Sequence, residues 1–231
     1  MPSDGFETDV HFTKDRRVVL CHNPNIDATS TGKGYINDLT FDELRSYDFG
    51  SYFSKDFEGE LIPELSEFLA IAAGLEIINI EIKTPYNHDY TIVDETLRIV
   101  AEHGLMNTLL ISSFDPVVLR RVKDLDPTVK TGLLYDFTKK VFYSDIVKDP
   151  VKYASALRCD AIHPIKYLTD KTLVSRAHKA GMAVNVWTVD DISTGKRLHS
   201  IGADSLITDV PDKLVQFSDA GDPALILQET V

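Results

Sequence analysis

Ile78-Asn79-Ile80-Glu81-Ile82-Lys83 places three isoleucines on one face of an extended segment and Asn79, Glu81 and Lys83 on the other, because side chains alternate with a period of two along a strand. Such a half-polar strand suits the wall of a barrel, with its apolar face toward packed helices and its polar face toward the interior. The polar residues crowd toward the C-terminal end of the run, the end at which barrels of alternating strands and helices carry their sites. Outward from this run, one unit recurs. An apolar-periodic helix is closed by a glycine (Gly74, Gly104, Gly181 or Gly202), and a short apolar or β-branched run follows it at residues 76–83, 108–113, 183–188 and 205–209. Asp115-Pro116 reads as the cap and first position of a helix, and Thr169 and Asp190-Asp191 as further caps. Residues 131–135, 159–163 and 5–10 fit the strand role as well, giving seven runs. Strands alternating with helices imply a parallel sheet covered outside by helices, as a (β/α) barrel or a doubly wound sheet, and the polar strand face favours the barrel.

Composition agrees with one such domain over residues 1–231. The 231 residues are 43% apolar, enough to bury a single large core. Lys and Arg number 24 against 36 Asp and Glu, a net charge of -12 that repels nucleic acid and anionic lipid surfaces. An anionic substrate would need a local remedy, such as a bound cation or a lysine inside an acidic cleft. Cys21 and Cys159 make neither a disulfide framework nor a zinc spacing and read as buried thiols. No apolar run reaches the ~18 residues of a membrane span and no signal peptide opens the chain, so a cytoplasmic location is expected for the chain as written. Residues 23–62 break the regular rhythm. They are rich in Asn, Thr, Gly and Asp, contain a capping box at Thr40-Phe41-Asp42-Glu43, and are expected to form an insertion over the barrel mouth.

Glu7 and Asp9, two apart in Phe6-Glu7-Thr8-Asp9-Val10, project to one side of a strand. With Glu81 they make three oxygen donors at strand ends, a set suited to Mg²⁺ or Ca²⁺. A solvated strand face produces the same spacing, and spacing alone does not separate the two. Trp187 shares a face with Asn185 in another run, where it either fills the barrel or lines a pocket.

The stretch Gly5-Phe6-Glu7-Thr8-Asp9-Val10-His11-Phe12-Thr13-Lys14-Asp15, with Val18-Val19-Leu20-Cys21-His22 after it, resembles the glycerophosphodiester phosphodiesterase family, whose second strand reads G-x-E-x-D-V-x-x-T-K-D and leads to V-x-x-H-D. Asn23 stands where that pattern has its last Asp. Thr31-Gly32-Lys33-Gly34, Ile62-Pro63-Glu64-Leu65, Asn79-Ile80-Glu81-Ile82-Lys83, Ser112-Ser113-Phe114-Asp115 and Ile207-Thr208-Asp209 follow in the family's order. The resemblance implies a (β/α)₈ TIM barrel that hydrolyses glycerophosphodiesters to glycerol 3-phosphate and an alcohol. By position it implies a divalent cation held by Glu7, Asp9 and Glu81, a phosphate contact from Lys83, proton transfer by His22, and an aromatic wall for the glycerol pocket from Trp187.

The family opens with a strand ending in H-R-G and a helix carrying P-E-N-T, and neither motif occurs in these residues. His11, His88, His103, His163 and His178 lie in no H-R-G context. The first strand and helix are therefore missing from the count, and three expectations follow. The barrel is left open, with edges near Phe6 and Ile207 available for self-association. The chain as written is a poor catalyst, and a version extended upstream of Met1 is the working enzyme. The alternative is a non-catalytic barrel that keeps the cation site and binds a ligand or partner.

Overall fold

The computed structural model describes residues 4–137, 146, 148–215 and 225–229. Eight parallel strands close on themselves: β1 (Gly5–Phe12), β3 (Ile77–Ile82), β4 (Leu109–Ser113), β5 (Lys130–Tyr135), β6 (Ala161–Pro164), β7 (Ala183–Val186), β8 (Ser205–Thr208) and β9 (Leu225–Glu229), with β9 pairing back to β1. A short strand, β2 (Val18–Leu20), folds back antiparallel on the far half of β1. The helices include, in chain order, α1 (Phe41–Leu44), α2 (Leu65–Ile71), α3 (Thr91–Glu102), α4 (Pro116–Leu125), α5 (Pro150–Ala156), α6 (Lys171–Lys179) and α7 (Ile192–Ser200). The chain is thus a TIM barrel.

Alternation along the strands assigns the two layers. Ile78, Ile80 and Ile82 are buried in the cluster formed with Val93, Leu97 and Val100 of α3 and Val118 and Val122 of α4. Asn79 and Glu81, on the opposite face of the same strand, are buried inside the barrel. The four glycines expected to close helices all adopt the left-handed backbone, with φ between 71° and 96°, where a side chain would be strained. Asp115 and Asp191 cap their helices through side-chain oxygens as the sequence suggests, whereas Asp170, not Thr169, caps α6.

The expected open edges are not there. Phe6 lies opposite Gln228 and Ile207 opposite Leu227, so β9 supplies hydrogen bonds to both the β1 and β8 edges. Leu227 is completely buried, and Gly5 leaves it room: a Cβ there would lie 2.9 Å from Leu227 Cδ2 and 2.2 Å from the Ile77 carbonyl oxygen. An edge that has found its partner no longer recruits another chain, which removes the basis for self-association through it.

Between β2 and α2 the chain runs through an irregular segment with its own small core of Ile26, Ile36, Phe41, Leu44 and Ile62. The Thr40–Glu43 capping box expected there is present. Among the described residues, no helix is long and apolar enough to cross a membrane.

Candidate active site

The first two candidate carboxylates come from β1, whose pleat sends Glu7 and Asp9 to the same face. The third comes from the neighbouring strand, because the parallel register sets Asp9 opposite Glu81. One carboxylate oxygen from each lies within 4.8 Å of the others, and the residues are 5%, 2% and 6% exposed. The sequence-derived triad is therefore a real cluster, buried at the base of the barrel mouth, and not a solvated strand face.

Lys83, just past the end of β3, puts its Nζ 2.7 Å from Asp9 Oδ1 and 2.9 Å from Glu81 Oε1. Burial alone would lower the pKa of this ammonium, but Glu81 and Asp9 outweigh it and raise it above the usual lysine value. Burial, and then Glu81, push Asp9 well above the usual carboxylate range despite the opposing pull of Lys83. Asp9 and Glu81 share this single ammonium, so two carboxylates meet one positive charge. Asp9 Oδ2, moreover, is buried without a hydrogen-bond partner. Hard oxygen donors, excess negative charge and an orphaned carboxylate oxygen together fit a divalent cation of the Mg²⁺ or Ca²⁺ kind.

Above the cluster opens a cavity of about 420 Å³ lined by Glu7, Glu81, Lys83, His22, Phe114 and Trp187 among others. His22 sits at the rim, its Nδ1 3.0 Å from Asn23 Oδ1. With that oxygen accepting, Nδ1 carries the proton and Nε2 is the basic nitrogen. Burial and the Lys83 charge lower the His22 pKa below 6.5, so the ring is neutral at neutral pH. Across the cavity, the Trp187 Nε1 donates to the His163 carbonyl oxygen at 2.8 Å, and its ring meets Phe114 edge-on at 5.6 Å. This bond and contact hold the indole as a fixed wall.

All six candidates, Glu7, Asp9, His22, Glu81, Lys83 and Trp187, thus converge on one mouth. Other residues fare differently. Lys33 is exposed and lines neither of the two cavities at the mouth. His163 is fully buried, with Nε2 2.9 Å from Asn185 Nδ2, and desolvation lowers its pKa to about 3. Its role is structural, against Gly132, where a Cβ would fall 2.2 Å from the ring Nε2. Phe114, just past the end of β4, also lines the cavity. His11, in no H-R-G context, lines the same cavity, with its pKa lowered to about 4 by burial and Lys83. The signal was available, since Glu7, Asp9 and His11 alternate on one face of β1.

The model of the glycerophosphoryl diester phosphodiesterase family matches residues 1–213. This chain belongs to that family. A relative named glycerophosphodiester phosphodiesterase, from Caldanaerobacter subterraneus subsp. tengcongensis, is 32% identical over 214 residues, spanning 92% of this chain and 85% of that protein. Among solved structures, an Oleispira antarctica phosphodiesterase in complex with sn-glycerol-3-phosphate superposes with a TM-score of 0.81 at 25% identity, covering 92% of this chain and 84% of that one. The Thermotoga maritima glycerophosphodiester phosphodiesterase gives 0.71 at 25% identity over 92% and 84%. As a family member, the chain departs from the H-D pattern at Asn23. The neutral amide can orient His22 as a carboxylate would, but it adds no negative charge to raise the imidazole's basicity.

Proposed function

We propose that this barrel, acting as one domain over residues 1–231, hydrolyses glycerophosphodiesters to glycerol 3-phosphate and an alcohol with the help of Mg²⁺ or Ca²⁺. The observation that carries the reading is the cluster of three buried carboxylates around Lys83 at the base of a cavity with a neutral imidazole at its rim. The Oleispira structure, holding sn-glycerol-3-phosphate on the same fold, supports the product assignment.

Glu7, Asp9 and Glu81 would hold the cation, which when bound offers a Lewis acid for the phosphoryl oxygens. Lys83 is already charged and fixed beside that position, so it can meet a phosphate oxygen without reorganising. His22, neutral with Nε2 unprotonated, takes the proton of the attacking oxygen as the bond to phosphorus forms. Trp187 and Phe114 present apolar surface to the carbon face of glycerol and exclude water from that side of the cavity. Attacking and leaving oxygens lie on opposite sides of phosphorus, so His22 serves one of them. The leaving alkoxide takes its proton from water at the cavity mouth as its bond to phosphorus breaks; a side chain placed to supply that proton is worth roughly 10² to 10⁴ in rate.

The test is enzymatic release of glycerol 3-phosphate from a mixed panel of glycerophosphodiesters. Activity should require the divalent cation, vanish in Glu81→Ala and fall by roughly 10² to 10⁴ in His22→Ala. Release indifferent to chelator and to both substitutions would refute the assignment. Cation binding without any release would favour the non-catalytic barrel.

A further inference from the structure

A second cavity of about 200 Å³ opens beside the first, and His11, Pro24, Lys83 and Thr84 line both. A diester with its phosphate at Lys83 and its glycerol against Trp187 therefore has one continuous place for its other substituent. Resting on the function proposed above, we propose that this second cavity is the subsite for the leaving alcohol, and that it takes a polyhydroxylated alcohol without positive charge, such as glycerol or inositol, in preference to a quaternary ammonium alcohol.

The wall is built, not incidental. Arg16 reaches from the β1–β2 turn to pair with Asp89, and its Nη2 donates to Thr91 Oγ1 at 2.5 Å. The guanidinium also lies 4.7 Å above the Phe12 ring. Arg16 holds this position at a φ of 67°, a left-handed conformation that disfavours a side chain and would suit glycine. The turn thus keeps a strained arginine whose guanidinium braces the cavity.

The lining chemistry selects the alcohol. A quaternary ammonium group is recognised by open aromatic faces or by an unpaired carboxylate. Phe12 has one face covered by Arg16, and Tyr86 stacks on Tyr35 at 5.7 Å with 27° between the rings. The carboxylate, Asp89, is engaged by Arg16 and by Thr91. Lys14 then tips the charge of the wall to positive, in a chain whose net charge is -12. That excess disfavours a cation, while the ammonium of Lys14 and the amides of Asn37 and Asn87 supply donors and acceptors for hydroxyl groups.

Glycerophosphoinositol, glycerophosphoglycerol and glycerophosphocholine all yield the same product, so one glycerol 3-phosphate assay compares them. With the cation present, kcat/KM for the two polyol diesters should exceed that for the choline diester by about tenfold, the scale of one charge-assisted hydrogen bond. Lys14→Glu, at an exposed position, should bring that ratio down to parity or invert it. A choline diester cleaved equally well, or a ratio unmoved by Lys14→Glu, overturns the subsite. If no diester is cleaved, the hydrolase reading fails by itself, and equilibrium titration of the same diesters into the unmodified chain decides the subsite. There the polyol diesters should bind about tenfold more tightly, and equal affinities or no binding overturn the proposal.

Discussion

Replacing Glu81 by Gln should change how the protein responds to a divalent cation more than it changes the protein itself. Unit charges separated by 4.8 Å, the outer limit for the three carboxylate oxygens, repel by about 3.5 kcal/mol at an effective dielectric of about 20. Lys83 relieves part of this repulsion, its one ammonium shared between Asp9 and Glu81. A bound divalent cation neutralises the remainder, and it stabilises the folded state alone because the unfolded chain has no such cluster. At a concentration one hundred times its Kd, the cation adds about 2.7 kcal/mol of stability. For a chain of this size that corresponds to a rise in Tm of roughly 5 to 10 °C. Support residues around metals typically change affinity 10- to 100-fold, so loss of a direct carboxylate ligand should reach at least roughly 100-fold. At the same cation concentration Glu81→Gln would then gain only about 0.4 kcal/mol, or roughly 1 to 2 °C. Calorimetric melting with and without chelator reads both numbers. An equal rise in Glu81→Gln and the unsubstituted protein would place the cation elsewhere and refute the reasoning.

The unprotonated form of His22 is the proton acceptor, so activity should fall as pH drops through its pKa. Burial and Lys83 hold that pKa below 6.5, and the acid limb of kcat/KM should therefore lie below 6.5 and move up toward it in Lys83→Ala; a limb that stays put would remove Lys83 as the cause. Leu227→Ala, which empties a fully buried position on the closing strand, should cost about 2 to 5 kcal/mol in urea denaturation, whereas a negligible cost would mean that β9 does not close the barrel in solution. Gly132→Ala forces a methyl group against the His163 ring and should cost about 1 to 3 kcal/mol by the same measurement, and a neutral result would show that the ring is free to move.

The strands that sequence revealed were those whose neighbours announce them. β3 declared both of its faces by alternation, and the helices before β3, β4, β7 and β8 ended at glycines that indeed turn left-handed. The closing strand gave no such signal. Leu225-Ile226-Leu227 is a short apolar run without alternation, and its role depends on the distant residues Gly5–Glu7 and Ser205–Thr208 that accept it as a partner. Pairing of that range is a tertiary fact that no local pattern encodes. The carboxylate cluster was legible because strand pleat and parallel register translate spacing directly into proximity. His11 obeys the same pleat, but it lies in no H-R-G context, so only its face of β1 marks it for the cavity. Phe114 follows β4, and its edge-on contact with Trp187 across the mouth is a tertiary pairing that its own neighbours in sequence do not announce.

Phosphorus NMR of glycerophosphoglycerol incubated with the full chain most directly tests whether this barrel is a cation-dependent phosphodiesterase. In the presence of Mg²⁺ or Ca²⁺ the diester resonance should decay while that of glycerol 3-phosphate grows in equal measure, and chelator or Glu81→Gln should stop the conversion. A diester signal that persists unchanged through prolonged incubation with either cation, in a protein whose Tm the cation still raises, would contradict the account.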